Sequence, residues 1–337
     1  MNIFITMKKG RERDIYFPEE AVDELRKFAN VTLSEKEEHL TEEELSSHIK
    51  DIDVCITHWG CPSFTEEVLK NANRLKMIAH AAGSVADVAT DQVYDRGIVV
   101  CSANSVMSKY VAEGTLTYML SALRQTTIYN NDMKKGVEWS RRVEDNKTLI
   151  GEKIGLVGLG SIGRHLLEFL KPFDVGIKLF DPYITAESLS EYTNVTLSSL
   201  EEVLSWGNII SIHASLTRET RGLLSEEKLK LIKDGALFIN TARGQIVDEN
   251  ALIRELEKGR FRAVLDVYAH EPLDAASRLR CMENVLLYPH VAGATLKEQM
   301  TFTVIGEIKR FIHGEPLQHE INFDRYKGMT REKEDGA

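Results

Sequence analysis

A glycine-rich turn between a predicted strand and a predicted helix is the feature that most constrains this chain. The apolar run 154–157 is typical of a buried strand, and Gly158, Gly160 and Gly163 follow it with G-x-G-x-x-G spacing. Apolar residues then recur with helical periodicity. In such a turn the first glycine permits the sharp bend, the second lets a pyrophosphate approach the backbone, and the third lets the helix pack on the strand. The segment therefore predicts a dinucleotide site.

The residues around this turn support the same prediction. Ser161 and Ile162 begin the predicted helix, whose free amide hydrogens can bind phosphate. A second predicted strand, 175–180, ends in Asp181, where a carboxylate can accept hydrogen bonds from an adenosine ribose. Its negative charge would repel a 2′-phosphate, and no Lys or Arg follows it in that loop. We therefore expect NAD rather than NADP.

Length and composition exclude several other classes of protein. The chain has 337 residues, which suits two domains, and a net charge of −10 without a basic stripe, so nucleic acid is not an expected partner. No apolar run is long enough to span a bilayer, and the first residues lack the regions of a signal peptide, so we expect a cytoplasmic protein. The four cysteines show no metal-ligand spacing, and no metal is expected.

Short apolar segments alternate with amphipathic segments along the whole chain, which predicts an α/β fold with parallel sheets covered by helices. In the first hundred residues the predicted strands are 2–6, 54–57, 77–81 and 98–101, with a weaker one near Val31, and the predicted helices are 19–28, 42–49, 65–71 and 88–96. Long helices without proline are predicted over 105–130 and 297–313. The charged tail from Lys327 is expected to be frayed.

Ligands of open parallel sheets bind beyond the carboxyl ends of the strands, so the loops at those ends are candidate sites. In the first hundred residues one such loop contains Trp59 and Gly60, and another contains Ala82 and Gly83. Small residues in the second loop would expose backbone amides that can hold a carboxylate. From local sequence alone, two ordinary turns explain these loops equally well.

The strand-end loops after the glycine motif carry the side chains suited to chemistry. The planar guanidinium of Arg243 suits a carboxylate and an adjacent carbonyl oxygen. His290 follows a proline at a strand end, and histidine exchanges protons near neutral pH. From the residues alone, other histidines near predicted strand ends or loops compete with it: His58, His80, His213 and His270. Glu271 is a carboxylate that, next to His290, would favour the imidazolium form. A surface ion pair remains the alternative for both Arg243 and Glu271.

Four segments in order resemble the D-isomer-specific 2-hydroxyacid dehydrogenases: 151–163, 238–244, 266–272 and 288–295. The resemblance implies two doubly wound parallel-sheet domains. A Rossmann NAD-binding domain, residues 105–293, would be inserted into a flavodoxin-like substrate-binding domain made of residues 1–104 and 294–337. It also implies a homodimer that uses the helix from Ser105 and the loop with Trp139.

The activity implied by the resemblance is NAD-dependent interconversion of a D-2-hydroxy acid and its 2-keto acid. The catalytic residues would be Arg243, Glu271 and His290, with Trp59, Gly60, Ala82, Gly83 and Arg243 contacting substrate. The residues implied to contact the cofactor are Gly158, Gly160, Ser161, Ile162, Gly163, Asp181, His213, Ala214, Ser215, Thr241, Ala242, Arg243, Asp266, His290 and Gly293. Asp266 would meet the nicotinamide carboxamide.

Two departures from the family pattern qualify this interpretation. Ser215 replaces a proline that many relatives carry, which predicts a small local change near the nicotinamide. The loop 57–62 lacks the arginine usual in phosphoglycerate dehydrogenases, which argues against a phosphorylated substrate. A non-catalytic NAD-sensing scaffold, similar to the transcriptional corepressors of the family, stays open because such proteins can keep all three polar residues.

Overall fold

The computed structural model describes residues 1–137 and 146–331, which form two compact α/β units. The first unit contains Met1–Ser108 and the chain from Thr295 onward, and the second contains Lys109–Ala294. Each unit is built on one parallel sheet, so the predicted fold class is confirmed. No helix of the described residues is both long and apolar enough to cross a membrane.

The sheet of the first unit has the strand order β2-β1-β3-β4-β5, with every pairing parallel. This is the order of flavodoxin-like folds, and it reverses direction between β1 and β3. Alternate residues of the strands enter two apolar clusters, one on each face, which is why the central strands are fully buried. The strands are β1 Asn2–Ile5, β2 Asn30–Leu33, β3 Val54–Thr57, β4 Met77–His80 and β5 Val99–Ser102.

The sheet of the second unit has the order β12-β11-β10-β9-β6-β7-β8, again all parallel. It is the Rossmann order with one more strand at an edge, and it reverses direction between β6 and β9. Phe238 and Phe261 are fully buried in an apolar core cluster of this unit. The strands are β6 Lys153–Val157, β7 Gly176–Phe180, β8 Val195–Leu197, β9 Ile209–Ile212, β10 Leu237–Asn240, β11 Arg262–Leu265 and β12 Val285–Leu287.

The helices cover the sheets and connect successive strands. Their bounds are α1 Arg11–Tyr16, α2 Glu19–Arg26, α3 Glu42–His48, α4 Glu66–Leu69, α5 Asp91–Asp95, α6 Asn104–Leu123, α7 Thr126–Lys134, α8 Ser161–Leu170, α9 Leu200–Trp206, α10 Glu226–Leu229, α11 Glu249–Glu257, α12 Lys297–His313 and α13 Phe323–Lys327. Thr41 and Ser199 begin α3 and α9 with reciprocal capping boxes, which satisfy amides at the helix starts.

The prediction of one helix over 105–130 is wrong, because the segment is divided into α6 and α7. Gln125 takes a left-handed backbone conformation, with φ of 49°, and is buried. The last carbonyls of α6 find partners far along the chain: Arg262 Nη1 donates to Ala122 O at 3.1 Å, and Lys147 N donates to Leu123 O at 3.0 Å. Tertiary hydrogen bonds therefore end this helix without a proline or glycine.

Two further predictions differ from the structure. Of the predicted helix 88–96, only Asp91–Asp95 is helical, because residues 85–89 form hydrogen-bonded turns instead. The predicted fraying does not begin at Lys327: Met329 is buried in the core, and the carbonyl of Thr330 accepts a hydrogen bond from Ser84. The rest of the predicted frayed tail, residues 332–337, lies outside the described residues. The short helices α1 and α13 and the edge strand β8 were not predicted, since each has six residues or fewer and little periodicity.

Candidate active site

The glycine turn lies where the Rossmann sheet reverses direction, between β6 and β9. Gly158 has φ of 93°, and a Cβ atom there would lie 2.5 Å from the amide nitrogen of Ala214. A Cβ on Gly163 would lie 2.9 Å from the Gly158 carbonyl oxygen, so the helix packs directly on the turn. Gly160 precedes α8, is exposed, and would direct a Cβ into open space. The backbone of the turn is thus closely packed at Gly158 and Gly163 but open to solvent at Gly160, where α8 begins. A pyrophosphate fits at this open side.

Asp181 follows β7 and is held against this turn. One carboxylate oxygen accepts a hydrogen bond from Leu159 N at 2.7 Å, and the other accepts one from Tyr183 N at 2.9 Å. These bonds fix the negative charge next to the turn, while Ser161 and Ile162 occupy the first turn of α8 and are half-buried. The arrangement fits the adenosine ribose of NAD and disfavours a 2′-phosphate.

The loop after β9 contains a histidine that is unsuited to proton transfer. His213 is buried, and its Nε2 lies 2.8 Å from the hydroxyl of Ser211. Burial lowers the pKa of His213 to about 4, so the ring is neutral at physiological pH. Ala214 contacts the glycine turn, and the exposed Ser215 uses its carbonyl to accept a hydrogen bond from Thr220.

The loop after β10 is stiffened by Asn240, a residue that the sequence interpretation missed. Its side-chain oxygen accepts from Ala242 N at 3.0 Å, and its side-chain nitrogen donates to Arg243 O at 3.0 Å. Thr241 is buried and hydrogen-bonds Thr115 of α6 at 2.9 Å between hydroxyl oxygens. A polar residue ending the apolar strand 237–240 was the available signal. These bonds fix the backbone of residues 241–243, so the half-buried Arg243 side chain is held at the carboxyl end of β10.

Asp266 follows β11 and organises the loop that carries His290. Its carboxylate accepts hydrogen bonds from Val291 N and Ala292 N, each at 2.9 Å, and its carbonyl accepts one from His290 N at 2.9 Å. Tyr118 of α6 donates to the same carboxylate at 3.3 Å. These contacts give the buried Asp266 a structural task beside any contact with nicotinamide. Half-buried Gly293 closes the loop.

His290 and Glu271 form a hydrogen-bonded pair in the loops after β12 and β11. His290 Nδ1 lies 2.8 Å from one Glu271 carboxylate oxygen, and the other oxygen accepts from Tyr268 N at 3.1 Å. Burial acts to raise the pKa of Glu271, but the hydrogen bond from His290, the charges of His290 and Arg243, and the Tyr268 amide together hold it below its usual range. The carboxylate is therefore ionised, and Nε2 is the ring nitrogen that remains available to a ligand.

Four of the five predicted substrate residues, all but Arg243, lie in the first unit, in the loops after β3 and β4. Trp59 is 43% exposed and meets the ring of His58 edge-on, with centroids 4.7 Å apart. Gly60 has φ of 79°, and a Cβ there would overlap the His39 ring. Ala82 and Gly83 are buried. Burial lowers the pKa of His58 to about 3, so this histidine is neutral beneath Trp59.

Comparison with known proteins decides the family. The model of the D-isomer specific 2-hydroxyacid dehydrogenase NAD-binding domain matches residues 116–292. The chain belongs to this family. A glyoxylate reductase of Thermofilum pendens is 33% identical over 94% of this chain and 95% of its own length. A D-3-phosphoglycerate dehydrogenase of Methanocaldococcus jannaschii is also 33% identical, over 84% of this chain and 54% of its own length.

The fold comparison agrees with the family assignment. A crystal structure of a Thermus thermophilus protein superposes with a TM-score of 0.78 and 27% identity, covering 96% of this chain and all of that one. This chain spans about half the length of the phosphoglycerate dehydrogenases that it matches. The glycine turn, Asp181 and the loops after β9, β10 and β11 lie within the matched NAD-binding domain. No group of three or more His, Cys, Asp or Glu side chains in the described part of the chain is placed to hold a metal ion.

Proposed function

We propose that this protein is an NAD-dependent enzyme that interconverts a D-2-hydroxy acid and its 2-keto acid, with a substrate that is not phosphorylated. The observation that carries the proposal is the 2.8 Å contact between His290 and the ionised Glu271, with Arg243 close enough to lower the Glu271 pKa. A proton-transfer pair next to a cationic fork is what carbonyl reduction needs. Family membership supports the same reaction.

Arg243 is the residue that would hold and polarise the substrate. Its loop is fixed by Asn240, so the guanidinium is presented from a stiff support. One edge of a planar guanidinium can donate two parallel hydrogen bonds to a carboxylate, or share them between a carboxylate and the neighbouring ketone oxygen. Holding both groups orients the carbonyl carbon and stabilises negative charge that develops on its oxygen.

His290 would transfer the proton. Because Nδ1 is directed at Glu271, Nε2 is the nitrogen that donates a proton to the ketone oxygen in reduction and accepts it from the hydroxyl group in oxidation. The Glu271 carboxylate fixes the ring orientation and stabilises the imidazolium. When NAD is bound, it supplies or accepts the hydride. Asp266 positions the His290 loop through the amides of Val291 and Ala292.

The substrate class is supported by the loop after β3. Residues 57–62 contain no arginine or lysine, and Trp59 stands over a neutral His58. A phosphate would need compensating positive charge in this loop, so an uncharged substituent fits better. The glyoxylate reductase that matches along nearly its whole length is consistent with a small 2-keto acid.

The proposal is tested by NADH oxidation with a panel of 2-keto acids, comparing the native enzyme with His290→Asn. We expect turnover with at least one non-phosphorylated member, and a kcat about 10² to 10⁴ lower in the variant, the usual contribution of general acid catalysis. The comparison is made at saturating NADH, so that any lost contact between His290 and the cofactor does not enter kcat. Equal turnover by the variant would exclude His290 as the proton donor.

A further inference from the structure

A row of buried polar side chains crosses the carboxyl edge of the sheet in the first unit. Thr57, His80 and Ser102 are the last residues of β3, β4 and β5, and they are paired directly across the strands. The three are at most 1% exposed. Thr57 Oγ1 and His80 Nδ1 lie 2.8 Å apart. Polar groups buried so completely are normally hydrogen-bonded, so the partners of Ser102 indicate what it does.

The hydroxyl of Ser102 binds the loop that follows the neighbouring strand. Ser102 Oγ lies 2.6 Å from Gly83 O and 3.1 Å from Ala82 O, and it accepts a hydrogen bond from Asn104 N at 3.1 Å. A serine hydroxyl has one hydrogen, and the shorter distance identifies Gly83 O as its main acceptor. Two consecutive carbonyls of the loop therefore turn toward one side chain.

This contact determines where the amides of the loop point. In a trans peptide the C=O and N–H groups are directed oppositely, and the peptides 82–83 and 83–84 are trans. With the carbonyls of Ala82 and Gly83 turned toward Ser102, the amides of Gly83 and Ser84 are turned away from it. Among the hydrogen bonds of the described residues, none is donated by these two amides. Two successive amides with a common direction form an anion-binding concavity.

The far side of the loop is held independently. Ser84 Oγ donates to Thr330 O at 2.7 Å and accepts from Ala86 N at 3.2 Å. Gly83 packs so closely on Met107 that a Cβ would lie 2.5 Å from the methionine methyl carbon. The loop is thus fixed at both ends, and Ser102 is the contact that sets its peptide planes.

We propose that Ser102 is a positioning residue, whose hydroxyl orients the loop 81–84 so that the amides of Gly83 and Ser84 bind the substrate carboxylate. The inference rests on the proposed function, since it deepens the assignment of this loop to the substrate. Ser102 itself does not touch substrate. Removing the Ser102 hydroxyl should weaken carboxylate binding by the same amount in the substrate complex and in the transition state. KM should therefore rise while kcat stays nearly unchanged.

The test compares Ser102→Ala with Ser108→Ala. Ser108 is equally buried, and among the described residues the hydrogen bond of its hydroxyl is to Ser105 O, at 2.8 Å within α6, and not to the loop. For the best keto acid of the panel we expect KM to rise about tenfold in Ser102→Ala, the scale of one lost hydrogen bond. Inhibition by oxalate, a non-reacting carboxylate, should weaken by the same factor. The kcat and the NADH affinity should match Ser108→Ala.

An unchanged KM and unchanged oxalate inhibition in Ser102→Ala would overturn the inference, as would equal changes in both variants. If Ser102→Ala does not fold, Ser102→Cys keeps the shape with a weaker donor and should change KM in the same direction; an unchanged KM there also overturns it. Failure of the proposed function has a different readout, because the native enzyme would then turn over none of the 2-keto acids in the panel. Oxalate binding by calorimetry with NADH present still separates Ser102→Ala from Ser108→Ala in that case.

Discussion

His290 is one of few residues other than glycine in the described chain with a left-handed backbone, at φ of 54°. That conformation costs about 1–2 kcal/mol for an L-residue and persists only where surrounding contacts impose it. Here the contacts are the amides of residues 290–292, which all donate to Asp266. A buried carboxylate thus stabilises an unfavourable backbone conformation at His290. Such strain is typical of residues whose side chain needs a precise orientation.

The Glu271→Gln variant tests the proton-transfer pair. The amide keeps the shape but removes the carboxylate charge that lies 2.8 Å from His290 Nδ1 and stabilises the imidazolium. Ketone reduction requires imidazolium, and its activity should therefore fall off at lower pH than in the native enzyme. Hydroxy acid oxidation requires the neutral ring, so its rising acidic limb should move to lower pH as well. Profiles of kcat/KM against pH in both directions measure this, and unmoved limbs in an active variant would assign Glu271 a structural role.

Asp181→Asn tests the choice of cofactor. Asparagine removes the charge and keeps one acceptor oxygen, so it retains one of the two hydrogen bonds from the amides of Leu159 and Tyr183. Like-charge juxtaposition costs several kcal/mol in a desolvated site, and about 1.4 kcal/mol corresponds to a tenfold change in affinity. We expect the ratio of NADPH to NADH affinity to rise at least about tenfold. Tighter binding of NADPH than NADH by the native protein would already contradict the account.

At the scale of elements, the glycine turn joins β6 to α8 and touches the loop after β9. Gly158→Ala would drive a Cβ into the Ala214 backbone and keep an unfavourable φ, whereas Gly160→Ala meets nothing within 4 Å. Both variants should lose NADH affinity, because Gly160→Ala narrows the approach of the pyrophosphate and Gly158→Ala distorts the turn that holds it. Without cofactor, only Gly158→Ala should lower the free energy of unfolding, by about 1–3 kcal/mol. It should therefore unfold at a lower temperature than the native protein. Equal thermal stability of the two variants would contradict this description.

The sequence predicted the elements whose cause is local and missed those whose cause is distant. The glycine turn, the buried strands and the loops after β10, β11 and β12 follow from apolar runs that end in polar or small residues. The break at Gln125 depends on Arg262 and Lys147, far along the chain, so no local pattern reveals it.

The candidate site shows the same division. Arg243, Glu271 and His290 were selected by residue type, position and family resemblance. Asn240 and Ser102 were not, because their importance lies in which carbonyls and amides they reach in the folded chain. A polar residue at the end of a buried strand can be recognised in the sequence as a candidate, but its hydrogen-bond partners cannot be predicted from that pattern.

At the scale of the whole molecule, α7 points to association of two copies. None of its nine residues is buried, and Met133 is 54% exposed. A helix this short is marginal without tertiary packing, so a second copy of the chain is the partner we propose, through α6 and α7. The Trp139 loop, assigned to the same contact by sequence, lies outside the described residues.

Light scattering at micromolar concentration should show twice the chain mass of 38.1 kDa. Met133→Asp should shift the equilibrium toward the single chain, since a charge in an apolar contact is costly. Exclusive 38.1 kDa material from the native protein would contradict the proposed dimer.

The central claim is tested most directly by the configuration of the product. The native protein is incubated with NADH and the best 2-keto acid of the panel whose reduction creates a stereocentre, and the 2-hydroxy acid is resolved by chiral chromatography. The account predicts a single isomer in an amount that equals the NADH oxidised, because Arg243 fixes the keto acid in one orientation. Family membership makes that isomer the D form. Formation of the L isomer or a racemate, or NADH binding without any hydroxy acid, would contradict it.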